Sequence, residues 1–225
     1  LGMAVAFAAF YIILVQVDYD LNFNKGIKDS EKVFVMSSGS LDGGNQRQLN
    51  FCRPLAEVIL QSSPNIEYGG VLNFTGAGSI SLWKENEGSR QNFSINLTSV
   101  SGTALKAAGF EAVAGSLDEV SLRSTFAVSE TVAEKFGLEV GMQVFSDGGN
   151  PCSIVAIYKD MPDNSHFKYV EAVHNIMDSG IDNYSEWSYQ YLVKVYDPRQ
   201  VDQMEKSFEG TVRDYYKERY FGQMP

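Results

Sequence analysis

Cysteine and histidine are nearly absent. Two cysteines, Cys52 and Cys152, in 225 residues exclude a disulfide-stapled scaffold and a cysteine-rich zinc site. The two histidines, His166 and His174, are eight positions apart and do not share a helical face as zinc ligands at i, i+4 would. Basic residues are also few, 18 against 28 acidic ones, and the formal net charge is −10. Such a chain lacks the cationic surface that a phosphate backbone requires, which excludes nucleic acid as a partner. Low-complexity tracts, repeats and linkers are missing too, and the 44% hydrophobic and 12% aromatic content is that of a folded chain.

The signatures of common chemistries are missing as well. No G-x-x-x-x-G-K-[ST] loop occurs, and the glycines of NFTGAGSIS (73–81) have neither the lysine nor a following helix, so the chain alone is no ATPase. No G-x-S-x-G elbow is present. Asp160, Asp163 and Asn164 in KDMPDNSH offer oxygen atoms of the kind calcium takes, but without EF-hand spacing or a terminal glutamate the segment reads as a solvated turn. Sequons at Asn73, Asn92, Asn96 and Asn183 read as ordinary strand and turn polarity. The residues therefore nominate no catalytic, cofactor or metal-binding set, and the substrate-contacting surface is unassigned. For Cys52 and Cys152, separate buried thiols and a single disulfide both stay open.

What is present begins at residue 1. LGMAVAFAAFYIILVQV (Leu1 to Val17) carries no charge and is apolar all round, which favours lipid or complete burial over an amphipathic surface helix. At ~1.5 Å per residue it covers roughly 25 Å, against ~30 Å for a bilayer core. With no basic n-region and no A-x-A site, it reads as part of a transmembrane helix rather than a signal peptide. A buried core helix is the other reading. Asp18 and Asp20 follow at once, and Lys25, Lys28 and Lys32 come only later. Cytoplasmic ends carry lysine and arginine close to the membrane, so the exit faces outward, with Tyr19 and Phe23 at interface depth.

Further along, Val33 to Ser38 reads as a strand, GSLDGGNQRQ as a loop, Phe51 to Ile59 as a helix ended by Ser62-Ser63-Pro64, and Ile66 to Phe74 as a strand: a β-α-β unit. Ile80 to Val100 alternates as a hairpin about ENEGSR. Ser129 caps a short helix stopped by Gly137. Ser153 to Tyr158 and Trp187 to Tyr196 read as strands, and Asp197-Pro198 opens a last helix bearing Val201, Met204, Phe208, Val212 and Tyr215.

Several segments, in order, resemble the extracytoplasmic domain of MacB-like ABC transporter permeases, the FtsX-like family. Asp29, Glu31, Lys32, Val33 and Phe34 stand in its D-x-[ED]-[KR]-[VI]-[YF] strand start, although Asn24 sits where an aspartate is common. Ser129, Glu130, Ala133, Phe136 and Gly137 resemble its S-E-x-x-A-x-x-x-F-G helix, one residue shorter here. Of the D-P-x-G that follows, Leu138-Glu139-Val140-Gly141 keeps only the glycine. The most specific signal is the strand followed by K-D-x-P-x-N-S-H, through Lys159, Asp160, Pro162, Asn164, Ser165 and His166.

The resemblance implies an α+β, two-lobed domain: a transmembrane helix end and stalk at 1–30, a porter-like α/β lobe at 31–79 plus 166–225, and an inserted smaller β-rich α/β lobe at 80–165. It also implies a non-catalytic permease domain with no cofactor, on the periplasmic side of the inner membrane. Such a domain would couple ATP hydrolysis by a separate cytoplasmic ABC ATPase subunit to export of a peptide, lipoprotein or toxic small molecule. A second permease copy, a periplasmic adaptor, an outer-membrane channel and membrane lipid along Leu1–Val17 are the implied partners. A helix continuous from Leu1 toward Lys28, losing its rigidity at Gly26, would carry the motion. A membrane-anchored binding or sensor domain without transport is the rival reading.

Overall fold

Period-2 alternation of apolar residues builds two sheets, and a strand buried along its whole length joins the first of them together. The computed structural model describes residues 2–38, 47–73, 78–121 and 124–220. Most of the expected loop GSLDGGNQRQ, the expected strand end at Phe74, Gly76 and the side chain of Tyr215 lie outside what is described.

The helix α1 (Gly2–Leu21) is followed by turns and by β1 (Val33–Val35), β2 (Asn50–Phe51), α2 (Arg53–Gln61) and β3 (Ile66–Val71). The expected β-α-β unit is present, but its strands are not neighbours. The late strand β11 (Tyr189–Val195) lies between β1 and β3, antiparallel to both, and also pairs with β2. All seven residues of β11 are buried, because the sheet is covered on both faces. Tyr189, Tyr191 and Val193 point toward Leu55 and Ile59 of α2 and Phe208 and Val212 of the last helix, while Leu192 points to the opposite face. Arg53, at the start of α2, donates to the carbonyls of Met177 and Ser179 at 2.6 Å each and so holds the segment leading into β11.

The second sheet takes its strands from Gly78 to Asn175. The hairpin strands β4 (Gly78–Asn86) and β5 (Ser89–Val100) lead to α3 (Ala104–Ala107), β6 (Ala112–Gly115), β7 (Thr125–Ser129), α4 (Glu130–Phe136), β8 (Gln143–Ser146), β9 (Pro151–Tyr158) and β10 (Ala172–Asn175). The order β9-β7-β10-β5-β4-β8 closes on itself through the β8–β9 pairing, forming a six-stranded barrel with β6 as an outer strand on β9. Thus β10, which lies after residue 165, sits between β5 and β7 of the barrel. The interior is filled by alternate residues such as Leu82, Ile95, Val128 and Ile154, and Val132 and Ala133 of α4 close one end. Ser129 caps α4 through its hydroxyl, which accepts from Val132 N, and Gly137 ends it at φ 59°, a left-handed value suited to glycine.

The alternate residues of the same strands face out. Ala127, Ala156 and Val173 pack with Ala104, Leu105, Ala107 and Ala108 around α3 against Leu72 and Leu192 of the first sheet, so one core joins the two sheets. Cys52 lies in the core of the first sheet and Cys152 beside that of the barrel, and both are free thiols. The last helix, α5 (Val201–Tyr220), starts after a short 3-10 turn capped by Asp197 as the Asp-Pro pair predicts.

The expected helical continuity toward Lys28 is not found. The helix α1 stops at Leu21: Asn22 N–H makes the last helical bond, to Asp18 O, while its side-chain amide shares that carbonyl at 3.0 Å, and Asn24 adopts a left-handed φ of 62° and turns its N–H to Asn164 O. Short-range polar contacts thus out-compete further helical turns.

Candidate functional site

The place where α1 meets the body is a cluster of specific contacts. Along α1 the apolar side chains are solvent-facing on every side, with Val5 63%, Phe7 67% and Ile12 67% exposed. Among the described residues no helix is long and apolar enough to cross a membrane. The pattern changes at Tyr19. Its hydroxyl donates to Asp163 O at 3.0 Å, and its ring leads through Phe23 to His166, with Phe23 and His166 meeting edge-on at 4.8 Å.

From Asn22 to Asn24 the chain is laced to the same loop. The Asn164 amide donates to Asn22 O at 2.8 Å, and the Asn24 backbone N–H donates to Asn164 O at 2.8 Å. Asn24 then uses both ends of its side chain on one residue. Its Nδ2 donates to His166 Nδ1 at 2.9 Å, and its Oδ1 accepts from His166 N at 3.1 Å. A left-handed backbone is common for asparagine, so the conformation that aims both groups at His166 suits this residue.

Two residues later the fit becomes steric. A Cβ on Gly26 would lie 2.7 Å from Pro162 Cγ, closer than real carbon atoms approach, so glycine is what allows this loop to close on the stalk. Ile27 then enters the core between the two sheets, packed with Phe110, Phe167 and Leu192. Burying such a side chain stabilises by about 1.5–3 kcal/mol. Asp29 ends the segment by accepting from Lys194 Nζ at 2.9 Å, which holds the Asp29 carboxyl below its usual range and raises Lys194.

The 159–166 loop is fixed at its other end to the barrel. Asp160 accepts from Thr131 N at 3.2 Å and from Thr131 Oγ1 at 2.6 Å, which places its charge at the amino end of α4, where the helix dipole favours an anion. Lys159 N–H bonds to Glu111 O, and Ser165 is buried with its hydroxyl accepting from Phe167 N. The segment Lys159–His166 is therefore a strut from the barrel to the end of α1. Of the residues that sequence alone offers to a cation, Asp160 has its carboxylate turned to Thr131, while Asp163 and Asn164 are held through their backbone carbonyls, by Tyr19 and Asn24. His174 lies elsewhere, on β10. It meets Ser99 Oγ at 3.1 Å and Phe126 edge-on, and burial lowers its pKa.

A cleft of ≈ 230 Å³ beside the strut is lined by Asn24, Ile27, Val33, His166 and Leu192. That is below the ~300 Å³ at which small-molecule sites usually begin. The junction is built to hold two pieces of protein together. Sequence reasoning singled out the members of the strut through their motif, but it gave Tyr19 a place at the membrane interface and Gly26 the end of a helix, and it missed the pairing of Asn24 with His166. Partners 142 positions apart leave no local signal.

Comparison with known proteins bears on the whole chain. The model of the family described as MacB-like periplasmic core domain matches residues 1–211. Among solved structures, a domain of a provisional permease protein from Porphyromonas gingivalis superposes with a TM-score of 0.68 at 15% identity, covering 87% of this chain and 86% of that one. The periplasmic region of MacB from Actinobacillus actinomycetemcomitans gives 0.56 at 15% identity, covering 86% and 87%. The extracellular domain of the noncanonic ABC-type transporter YknZ from Gram-positive bacteria gives 0.51 at 13% identity, covering 82% and 92%. At these identities the structures speak for the fold alone. The comparison with curated proteins returns no significant match.

Proposed function

The chain belongs to the MacB-like periplasmic core domain family, and from that premise we propose that it transmits ATP-driven motion within an ABC transporter permease to the export of a substrate. The observation that carries this reading is the attachment of α1 to both sheets at once. Tyr19, Asn22 and Asn24 are bonded to the 163–166 loop, Ile27 is held in the core between the sheets, and Asp160 ties the loop on to α4. A tether would need none of these bonds. A rigid element fixed to a body can couple distant sites, whereas a flexible linker absorbs displacement.

On this reading α1 lies in the inner membrane along Leu1–Val17, which accounts for apolar side chains exposed on all sides, and the two sheets stand on the periplasmic side. The ATPase is a separate cytoplasmic subunit, and a second copy of the permease completes the transporter. A periplasmic adaptor and an outer-membrane channel would extend the path. The domain itself is non-catalytic and cofactor-free, and the cargo is a peptide, a lipoprotein or a toxic small molecule.

Inserting two glycines after Asp20, in the complete permease with its ATPase, tests the coupling. The insertion falls between the contact points of Tyr19 and Asn22 and slips one against the other. Glycine in a helix costs only about 1 kcal/mol relative to alanine, and domains are stable by ~5–15 kcal/mol, so both sheets stay folded. Expression and basal ATP hydrolysis are expected near the parental level while export falls sharply. Export at the parental level would reduce α1 to an anchor and remove coupling through it.

A further inference from the structure

One exposed pair beside the junction is not used by the clamp. Tyr169 is 70% exposed, and the Lys168 ammonium lies 4.5 Å from the centre of its ring. Lys168 stands two residues after His166, which meets Phe23 edge-on at 4.8 Å, and Asp163 of the same loop is bonded by Tyr19, so the pair sits beside the end of α1. Side chains on a helix lean toward its amino end, so the Tyr19 hydroxyl, and with it the Asp163 carbonyl it bonds, lies on the apolar side of Tyr19's own position. The loop thus reaches back along α1 toward its apolar stretch instead of standing above it.

Resting on the reading of α1 as a membrane segment, we propose that Lys168 and Tyr169 form a lipid contact of the body, with the Tyr169 ring at the level of the headgroups and the Lys168 ammonium on lipid phosphate. An amphipathic ring beside a long cationic side chain is what membrane interfaces select: the ring sits between apolar and aqueous layers, and the ammonium extends to the anionic headgroup. The occupant is a phospholipid surface because the loop that carries the pair is bonded to Tyr19, two residues beyond the exposed apolar run that ends at Val17. The contact gives the body a second point of support, so that tilting of α1 is resisted by the loop as well as by the stalk.

The test places tryptophan at single positions of this chain reconstituted in vesicles of phosphatidylethanolamine and phosphatidylglycerol, with emission taken as the difference from the parent. Tyr169→Trp is expected to shift to the blue on reconstitution and to lose emission when the lipids are brominated near the headgroup. Glu85→Trp, near the hairpin tip and roughly 33 Å along β5 from the end that meets the first sheet, is expected to do neither. Tyr11→Trp reports on α1 and is expected to be quenched by lipids brominated deep in the chain. Quenching of Tyr11→Trp with none at Tyr169→Trp would overturn the lipid contact and leave the membrane reading of α1 standing. No quenching at Tyr11→Trp would overturn both.

Discussion

Replacing Asn24 tests how tightly the stalk is locked. Its side chain makes two bonds to His166, at 2.9 Å and 3.1 Å, and its backbone is left-handed at φ 62°. A typical hydrogen bond contributes about 0.5–1.5 kcal/mol net. Asn24→Gly removes both bonds while accepting the backbone, so it should destabilise the closed junction by roughly 1–3 kcal/mol. The midpoint of ~2 kcal/mol is about a 30-fold rise in junction opening, at ~1.4 kcal/mol per tenfold. Asn24→Ala loses the same bonds and adds about 1 kcal/mol for a left-handed alanine, and so opens still more. These bonds lie at the surface of the joint and Ile27 stays in its core, so global unfolding should move far less than local opening. Native-state hydrogen exchange reads the effect at two amides, His166 N–H, bonded to Asn24 Oδ1, and Asn24 N–H, bonded to Asn164 O. Exchange at both should rise in the order parent, Asn24→Gly, Asn24→Ala, while amides of β7 and β9 keep parental protection. Parental exchange at both amides in Asn24→Gly would refute the claim that this side chain closes the joint.

Two further expectations follow from the geometry. Gly26→Ala brings a Cβ to 2.7 Å from Pro162 Cγ and should loosen the strut, with an overpacking cost of about 1–3 kcal/mol. Adding Pro162→Ala should recover much of that loss, and a double-mutant cycle with zero coupling would show that the two residues do not press on each other. His174 has its pKa lowered by burial, so the unfolded chain takes up the proton first; its contribution is fully present above the unfolded value of about 6.5 and is lost as pH falls through that value toward the folded one. The parent should therefore lose thermal stability between about pH 7 and pH 5.5, and His174→Gln should lose less; equal losses would remove His174 as the cause.

Local order was legible in the sequence wherever its cause is local. The hairpin of β4 and β5, the Ser129 cap and Gly137 stop of α4, and the Asp197-Pro198 entry to α5 depend on residues within a few positions of one another, so periodicity and capping chemistry found them. The apolar character of α1 was equally plain, and the motifs of the strut marked the family. Short strands carry too few residues to show a period: sequence reasoning passed over β6 and β8 and gave Phe51 of β2 to the helix that starts at Arg53.

What tertiary structure decided is who meets whom. The β-α-β unit was readable, but only long-range pairing places β11 between β1 and β3, and only the β8–β9 contact turns a run of strands into a barrel. The end of α1 was misjudged by about two turns, because a helix stops where competing polar bonds are better, and here Asn22 and Asn24 found theirs in Asp18 and in a loop some 140 residues away. A sequence states the propensities of each segment, but a joint between segments exists only when the fold brings both halves within hydrogen-bonding distance.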